Sequence, residues 1–280
     1  VGLKMPATPT RALLALVLTQ IRISLRGLQV KERKEAEVPP DLLRRIDVAW
    51  AAGTSMGFCD IYAGAALAAR GLFLALEAGE PFRIARALAW DSFMRGFNPA
   101  TRKQSAKMAE RAAEINERLG SPYLRGLILM ARGSIAFNDS RFDDVYEIVK
   151  EAVEIFEQQC PGAVWERSTA QQYLLTTMVI TGRLWEAKQQ TAEVLDDARR
   201  RGDLYTATGV GVYNVPVVRL MEDDAEGALR ATESALSEWR QQGFYRQKQL
   251  AALAIINCHL HAVNGEAAWN SVQEQWRFLE

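Results

Sequence analysis

"TGRLWEAKQQTAEVLDDARRRGDLYTAT" (Thr181–Thr208) has two near-copies in the chain. One is "EDDAEGALRATESALSEWRQQGFYRQK" (Glu222–Lys248), about forty residues later; the other is "NDSRFDDVYEIVKEAVEIFEQQCPGAV" (Asn138–Val164), about forty earlier. Each opens on a turn rich in Asn, Asp, Gly or Ser, the residues that suit helix ends and N-caps. Val145, Ala187 and Ala228, small or aliphatic residues that follow these turns, recur at steps of just over forty. Four positions on stand Val149, Thr191 and Thr232; seven on, Ala152, Val194 and Ala235; eight on, Val153, Leu195 and Leu236; eleven on, Phe156, Ala198 and Trp239. Those offsets trace one stripe of an α-helix, the face that neighbours must cover. A fourth copy opens with "NGEAA", places Ala268 one further step after Ala228, and continues through Val272, Trp276 and Leu279.

Partner helices fit between the copies, beginning near Pro122, Ala163, Asp203 and Phe244 at the same spacing. Two helices of roughly 17 residues and two short loops fill the period, the signature of a helix-hairpin repeat. The fold expected is all-α: a right-handed antiparallel helix-hairpin solenoid, tetratricopeptide-like, with repeats of about 41 residues. No window alternates long enough to make a strand. Upstream, "LEAGEPFRIARALAWDSFMRGF" (Leu76–Phe97) has the same turn-then-helix grammar, Gly79 and Pro81 marking the start. The step from Ala85 to Val145 is half as long again as the others, which reads as one additional helix, "ATRKQSAKMAERAAEINERLG", interposed. "VPPDLLRRIDVAWAAG" begins a helix after Pro39 and Pro40, residues 56–78 supply another, and "KERKEAEVPP" reads as an exposed loop. The expected organisation is a single helical domain over 1–280, with divergent helices over 1–121 and about four regular hairpins over 122–280.

The 34 basic and 34 acidic side chains cancel, and 49% of residues are hydrophobic, enough for a sizeable core. Zero net charge argues against a nucleic-acid binder, which needs excess Lys and Arg to neutralise phosphates. Cys59, Cys160 and Cys258 are too few and too far apart for a disulfide framework, as expected of a reducing, cytoplasmic setting. The apolar run "ALLALVL" (Ala12–Leu18) is too short to span a bilayer and reads as a buried helix. The chain opens on Val1 and is read as part of a longer protein.

Catalytic signatures are missing. There is no P-loop and no kinase Gly-rich loop, V-A-I-K, H-R-D or D-F-G. "TGVGVYN" (Thr208–Asn214) has close glycines without a preceding strand, so they are expected to let helices approach closely rather than to cradle phosphate. "INCHLH" holds Cys258, His259 and His261, but on a helix 258 and 261 share a face that 259 does not, so no metal is expected. With no other histidine, Ser-His or Cys-His catalysis is not expected. Asp143–Asp144 and Asp223–Asp224 suit helix starts, and Asp196–Asp197 has no pocket in view. Arg11, Arg22, Arg26, Lys31, Arg33 and Lys34 read as a solvated basic face. Trp239 and Trp276 fall on the core stripe and are expected to pack; Trp165 begins a partner helix.

The segments "LRGLQVKERKEAEVPPDLLRRIDVAW", "LALEAGEPFRIARALA", "GSPYLRGL", "ERSTAQ", "ARRRGDLYTAT", "EWRQQGF" and "AAWNSVQEQWRFLE" together resemble the C-terminal helical region of large bacterial signalling proteins. In that family a serine/threonine protein kinase domain precedes a predicted AAA-type, STAND-like ATPase, followed by tetratricopeptide-like repeats. The resemblance covers nearly all of the chain and implies a cytoplasmic regulatory module whose kinase and ATPase domains lie before Val1. It carries no functional residues onto these positions.

The function expected is non-catalytic: a helical-repeat scaffold or regulatory module binding a protein or peptide, including the kinase and ATPase domains of its own parent chain. The rival is an intramolecular regulator or small-ligand sensor. No cofactor, metal, nucleic acid or membrane is expected as a partner. In such a stack the first helix of each hairpin lines a groove, here Trp165–Tyr173, Tyr205–Arg219 and Phe244–Gln249. The candidate binding residues are Gln172, Tyr173, Tyr205, Asn214, Arg219 and Gln247.

Overall fold

In the computed structural model, residues 7–56, 60–96, 98–239 and 246–276 are described. The repeat is clearest in its turns. Ser140, Gly182, Asp223 and Val263 all adopt positive φ, at 58°, 74°, 61° and 57°, and they recur at the step of the sequence repeat. The residue after each donates its N–H five residues back: Arg141 to Ala136, Arg183 to Met178, Asp224 to Arg219 and Asn264 to His259, at 2.8–3.0 Å. These are Schellman closures, which satisfy carbonyls that a helix end leaves orphaned. Four residues past each such donor the next helix presents its first inward side chain: Val145, Ala187, Ala228 and Ala268, all buried. The sequence anchors of the alignment are thus the structural anchors of the hairpins.

Thirteen α-helices follow among the described residues, and no strand: α1 (Pro9–Arg26), α2 (Pro40–Met56), α3 (Ile61–Ala78), α4 (Pro81–Gly96), α5 (Arg102–Leu119), α6 (Pro122–Asn138), α7 (Phe142–Gln159), α8 (Val164–Ile180), α9 (Leu184–Arg201), α10 (Leu204–Met221), α11 (Ala225–Glu238), α12 (Arg246–His261) and α13 (Gly265–Trp276). The fold is all-α and built of antiparallel helix hairpins, with α2 on α3, α4 on α5, α6 on α7, α10 on α11 and α12 on α13. The Phe244 start expected for one partner helix lies outside the described residues. Two compact units divide the chain, Val1–Glu166 and Arg167–Glu280.

In the first unit α4 packs between α2 and α6, and α1 lies on α3. Pro40, Pro81 and Pro122 open α2, α4 and α6 at equal steps, each at a helix start where proline's missing N–H costs nothing. This corrects the reading of an interposed helix: the long step from Ala85 to Val145 compared α4, the first helix of a hairpin, with α7, the second. The hairpin spacing therefore reaches back to α2. Small residues bring the pairs together. A Cβ on Gly126 of α6 would sit 2.6 Å from the Phe156 ring of α7. α3, rich in Ala and Gly, is long and apolar enough to cross a membrane by length and composition alone, and 56% of it is buried. In the second unit α10 packs against α9, α11 and α12. A Cβ on Gly211 would lie 2.7 Å from that of Ala235 on α11, so one glycine of "TGVGVYN" serves close helix approach.

Three expectations are corrected. "ALLALVL" is helical within α1 but only half covered: Ala12 is buried against α3, whereas Leu13, Leu14, Val17 and Leu18 are 45–59% exposed. Residues 56–78 are not one helix, because α2 ends at Met56 and α3 begins at Ile61 behind an Asp60 N-cap, whose carboxylate accepts from the Ala63 N–H. Trp276 is 56% exposed rather than packed, since none of the described residues of the second unit covers the end of the α13 stripe.

Candidate functional site

The six sequence-derived candidates fall on α8, α10 and α12 of the second unit. Gln172, Asn214 and Gln247 are 8%, 1% and 4% exposed, which rules out a solvated position and leaves them no open groove to line. Gln172 fills the notch over Gly209: a Cβ there would meet its Oε1 at 2.7 Å. The Gln172 and Asn214 amide nitrogens find no hydrogen-bond acceptor among the described residues. Arg219 is exposed but ion-paired at 2.8 Å with Asp224, the α11 N-cap. Tyr173 and Tyr205 are half-buried. The structure therefore places Gln172, Asn214 and Gln247 inside, Tyr173 and Tyr205 at partly covered positions, and Arg219 beside a turn. Cys258 is buried, which pushes its thiol up, while His261 turns to Asp223 at 2.8 Å. No group of three or more His, Cys, Asp or Glu among the described residues could hold a metal.

A different arrangement occupies the first unit. The first helices of successive hairpins carry an aromatic residue at the second position, Phe82 on α4, Tyr123 on α6 and Trp165 on α8, in step with the hairpin period. Just past proline or the helix start, that position sits at the edge of the hairpin, where a large ring can reach the next repeat. Phe82 and Tyr123 stack with centroids 6.2 Å apart, and Tyr123 meets Phe156 edge-on at 6.5 Å. Trp90 of α4 bridges Trp50 of α2 at 5.8 Å and Trp165 at 5.2 Å. The Arg86 guanidinium lies 4.9 Å from the Trp50 ring and 5.8 Å from that of Phe82. It is anchored by Asp47 at 2.6 Å, which also accepts three hydrogen bonds of 2.8–3.1 Å from Arg83. Burial alone would raise the Asp47 carboxyl, but the hydrogen bonds from Arg83 and Arg86 outweigh it and hold the group below the usual carboxylate range.

The ladder ends at an open depression of about 400 Å³, between the turn that leads into α6 and the turn between α7 and α8. Ser121, Tyr123, Gln159, Cys160 and Glu166 line it. Glu166 is only 9% exposed, and the Tyr123 hydroxyl donates to its Oε1 at 2.7 Å. Burial first, and the Glu166 charge second, push the Tyr123 phenol well above its ordinary value, and the same two causes raise the Cys160 thiol.

Sequence reasoning singles out Trp165 and Tyr205 but misses Phe82, Arg86, Tyr123 and Glu166. The signal is present: Phe82, Tyr123, Trp165 and Tyr205 follow the hairpin period through the second position of α4, α6, α8 and α10. No family model matches the chain, and no curated protein is significantly similar to it.

Proposed function

We propose that the chain is a non-catalytic helical-repeat module that binds an extended peptide or protein segment across the first helices of the α2–α3, α4–α5 and α6–α7 hairpins. The observation that carries this reading is the half-buried ladder of Trp50, Phe82, Arg86, Tyr123 and Trp165. Trp, Tyr and Arg dominate binding hot spots because they offer large, rigid contact area and a polar handle at modest entropic cost. Stacked hairpins repeat such a handle at a fixed spacing, which suits a chain laid across them. The likeness to the helical region of kinase–ATPase signalling proteins supports placing the partner in a regulatory setting, the parent chain's own domains included.

Selection of a random peptide library on the immobilised chain tests this reading. Related peptides binding with about micromolar affinity, weakened tenfold or more by Phe82→Ala or Arg86→Gln in variants that remain folded by circular dichroism, are expected. No enrichment, or peptides indifferent to both variants, would overturn it.

A further inference from the structure

The depression at the end of the ladder has an electrostatic imbalance. Glu166 is more than nine-tenths buried, yet among the described residues its single hydrogen-bond partner is the neutral phenol of Tyr123 and it takes part in no ion pair. A buried carboxylate is unfavourable unless a cation or several donors compensate it. As the third residue of α8, Glu166 receives part of that compensation from the helix N-terminus. No described side-chain cation forms an ion pair with it. Arg83, Arg86 and Arg95, the half-buried arginines of α4, are paired instead with Asp47, Glu80 or Asp91.

The surroundings suit one kind of ligand. Tyr123 lines the depression, and aromatic rings attract cations. Its other neighbours, Ser121, Gln159 and Cys160, are neutral, and a Cβ added to Gly162 on the rim would meet open space. A volume of about 400 Å³ admits an aliphatic stem with a terminal ammonium or guanidinium.

We infer that this depression binds an alkylammonium or alkylguanidinium group, with Glu166 as its counter-ion and Tyr123 as its aromatic wall. The inference deepens the peptide-binding reading and rests on it for the natural source of the cation, a lysine or arginine side chain of the bound segment. Neutralising Glu166 from outside is what this site lacks in the free chain, and a basic side chain at the ladder's end supplies it while the backbone lies over the aromatic residues.

Calorimetric titration of the chain with agmatine and with N-acetyl-Ala-Arg-Ala-amide separates free amine from peptide side chain. N-butylurea, a neutral analogue, is the control. Agmatine or the tripeptide is expected to bind with a dissociation constant of roughly 0.1–1 mM, with butylurea at least tenfold weaker. Glu166→Gln keeps an acceptor for Tyr123 and should weaken binding about tenfold to a hundredfold, at a melting temperature no lower than that of the wild type. Binding of the tripeptide alone assigns the site to a peptide side chain; binding of both probes shows that a free amine also suffices. Equal affinity for butylurea, equal affinity of Glu166→Gln, or no heat with either cation overturns the inference. The butylurea comparison stands even where the variant does not fold. Library peptides that bind without a basic residue would sink this inference while leaving the peptide-binding reading intact.

Discussion

The α6–α7 and α10–α11 hairpins share one turn geometry but fill their interiors differently. Val145, Val149, Ala152, Val153 and Phe156 of α7 are all buried, and α6 meets them with Leu, Ile and Met and with Gly126 under the Phe156 ring. On α11 only Ala228 and Thr232 of the equivalent stripe are buried; Ala235, Leu236 and Trp239 are half-covered. α10 contributes buried Thr206, Thr208 and Asn214. The α13 stripe is covered least, with only Ala268 buried among its described positions. A repeat can thus keep its backbone plan while the apolar area behind each copy falls. Stability of such a stack is a sum of local terms, so the second unit should open at lower denaturant and exchange its amides sooner than the first.

Substitutions along the stripe break or sharpen the contrast. Phe156→Ala removes a fully buried ring and should cost about 3–5 kcal/mol by chemical denaturation. A loss under about 1 kcal/mol would mean that the α7 interior is not close-packed. Asp203, the α10 N-cap, accepts from the Thr206 N–H at 3.0 Å and from the Thr206 and Ser168 hydroxyls at 2.7 and 3.1 Å. Asp203→Ala should cost about 1–2 kcal/mol. Burial pushes its carboxyl up, but those donors and Arg201 outweigh burial and hold it below the ordinary range. A depressed carboxyl stabilises the fold fully above its unfolded value of about 3.9. That contribution disappears as pH falls through the lower folded value. Acid titration followed by circular dichroism should show the wild type losing this increment below about pH 4, with Asp203→Asn losing less stability over the same range because the other depressed carboxylates, Asp47 among them, remain.

Smaller effects are expected at the far end of the chain. Val263 holds φ 57° while 91% exposed, a costly position for a β-branched residue, and the equivalent turn between α8 and α9 uses Gly182. Val263→Gly should therefore stabilise by about 1 kcal/mol, read as a raised melting temperature. Trp276→Ala should change stability by less than about 0.5 kcal/mol, in contrast to the loss expected at Phe156. A large loss there would show that the α13 stripe is covered after all.

The hairpins are legible in the sequence because turn chemistry and a 3.6-residue stripe are both local. Ser140, Gly182, Asp223 and Val263 turn the chain, and Val145, Ala187, Ala228 and Ala268 anchor it, where the recurring step puts them. Which polar residues face out is not legible. Gln172 and Asn214 look like surface residues by type, and only the notch at Gly209 and the packing of α10 draw them inside. For α1 the pattern overstates burial for the opposite reason: an all-round apolar helix signals a core, but whether a second face is covered depends on neighbours the pattern does not name. The ladder escapes notice because Phe82, Tyr123 and Trp165 are different residue types, and their common spacing becomes visible only once the hairpins of the first unit are in phase.

The central claim is that binding belongs to the first helices of the amino-terminal unit rather than to the polar positions of α10 and α12. Hydrogen-exchange mass spectrometry of the chain, with and without the tightest library peptide, tests it most directly. Protection is expected in the first turns of α4 and α6 and across residues 159–166. Protection confined to Tyr205–Arg219 would contradict the claim and favour the polar positions of α10.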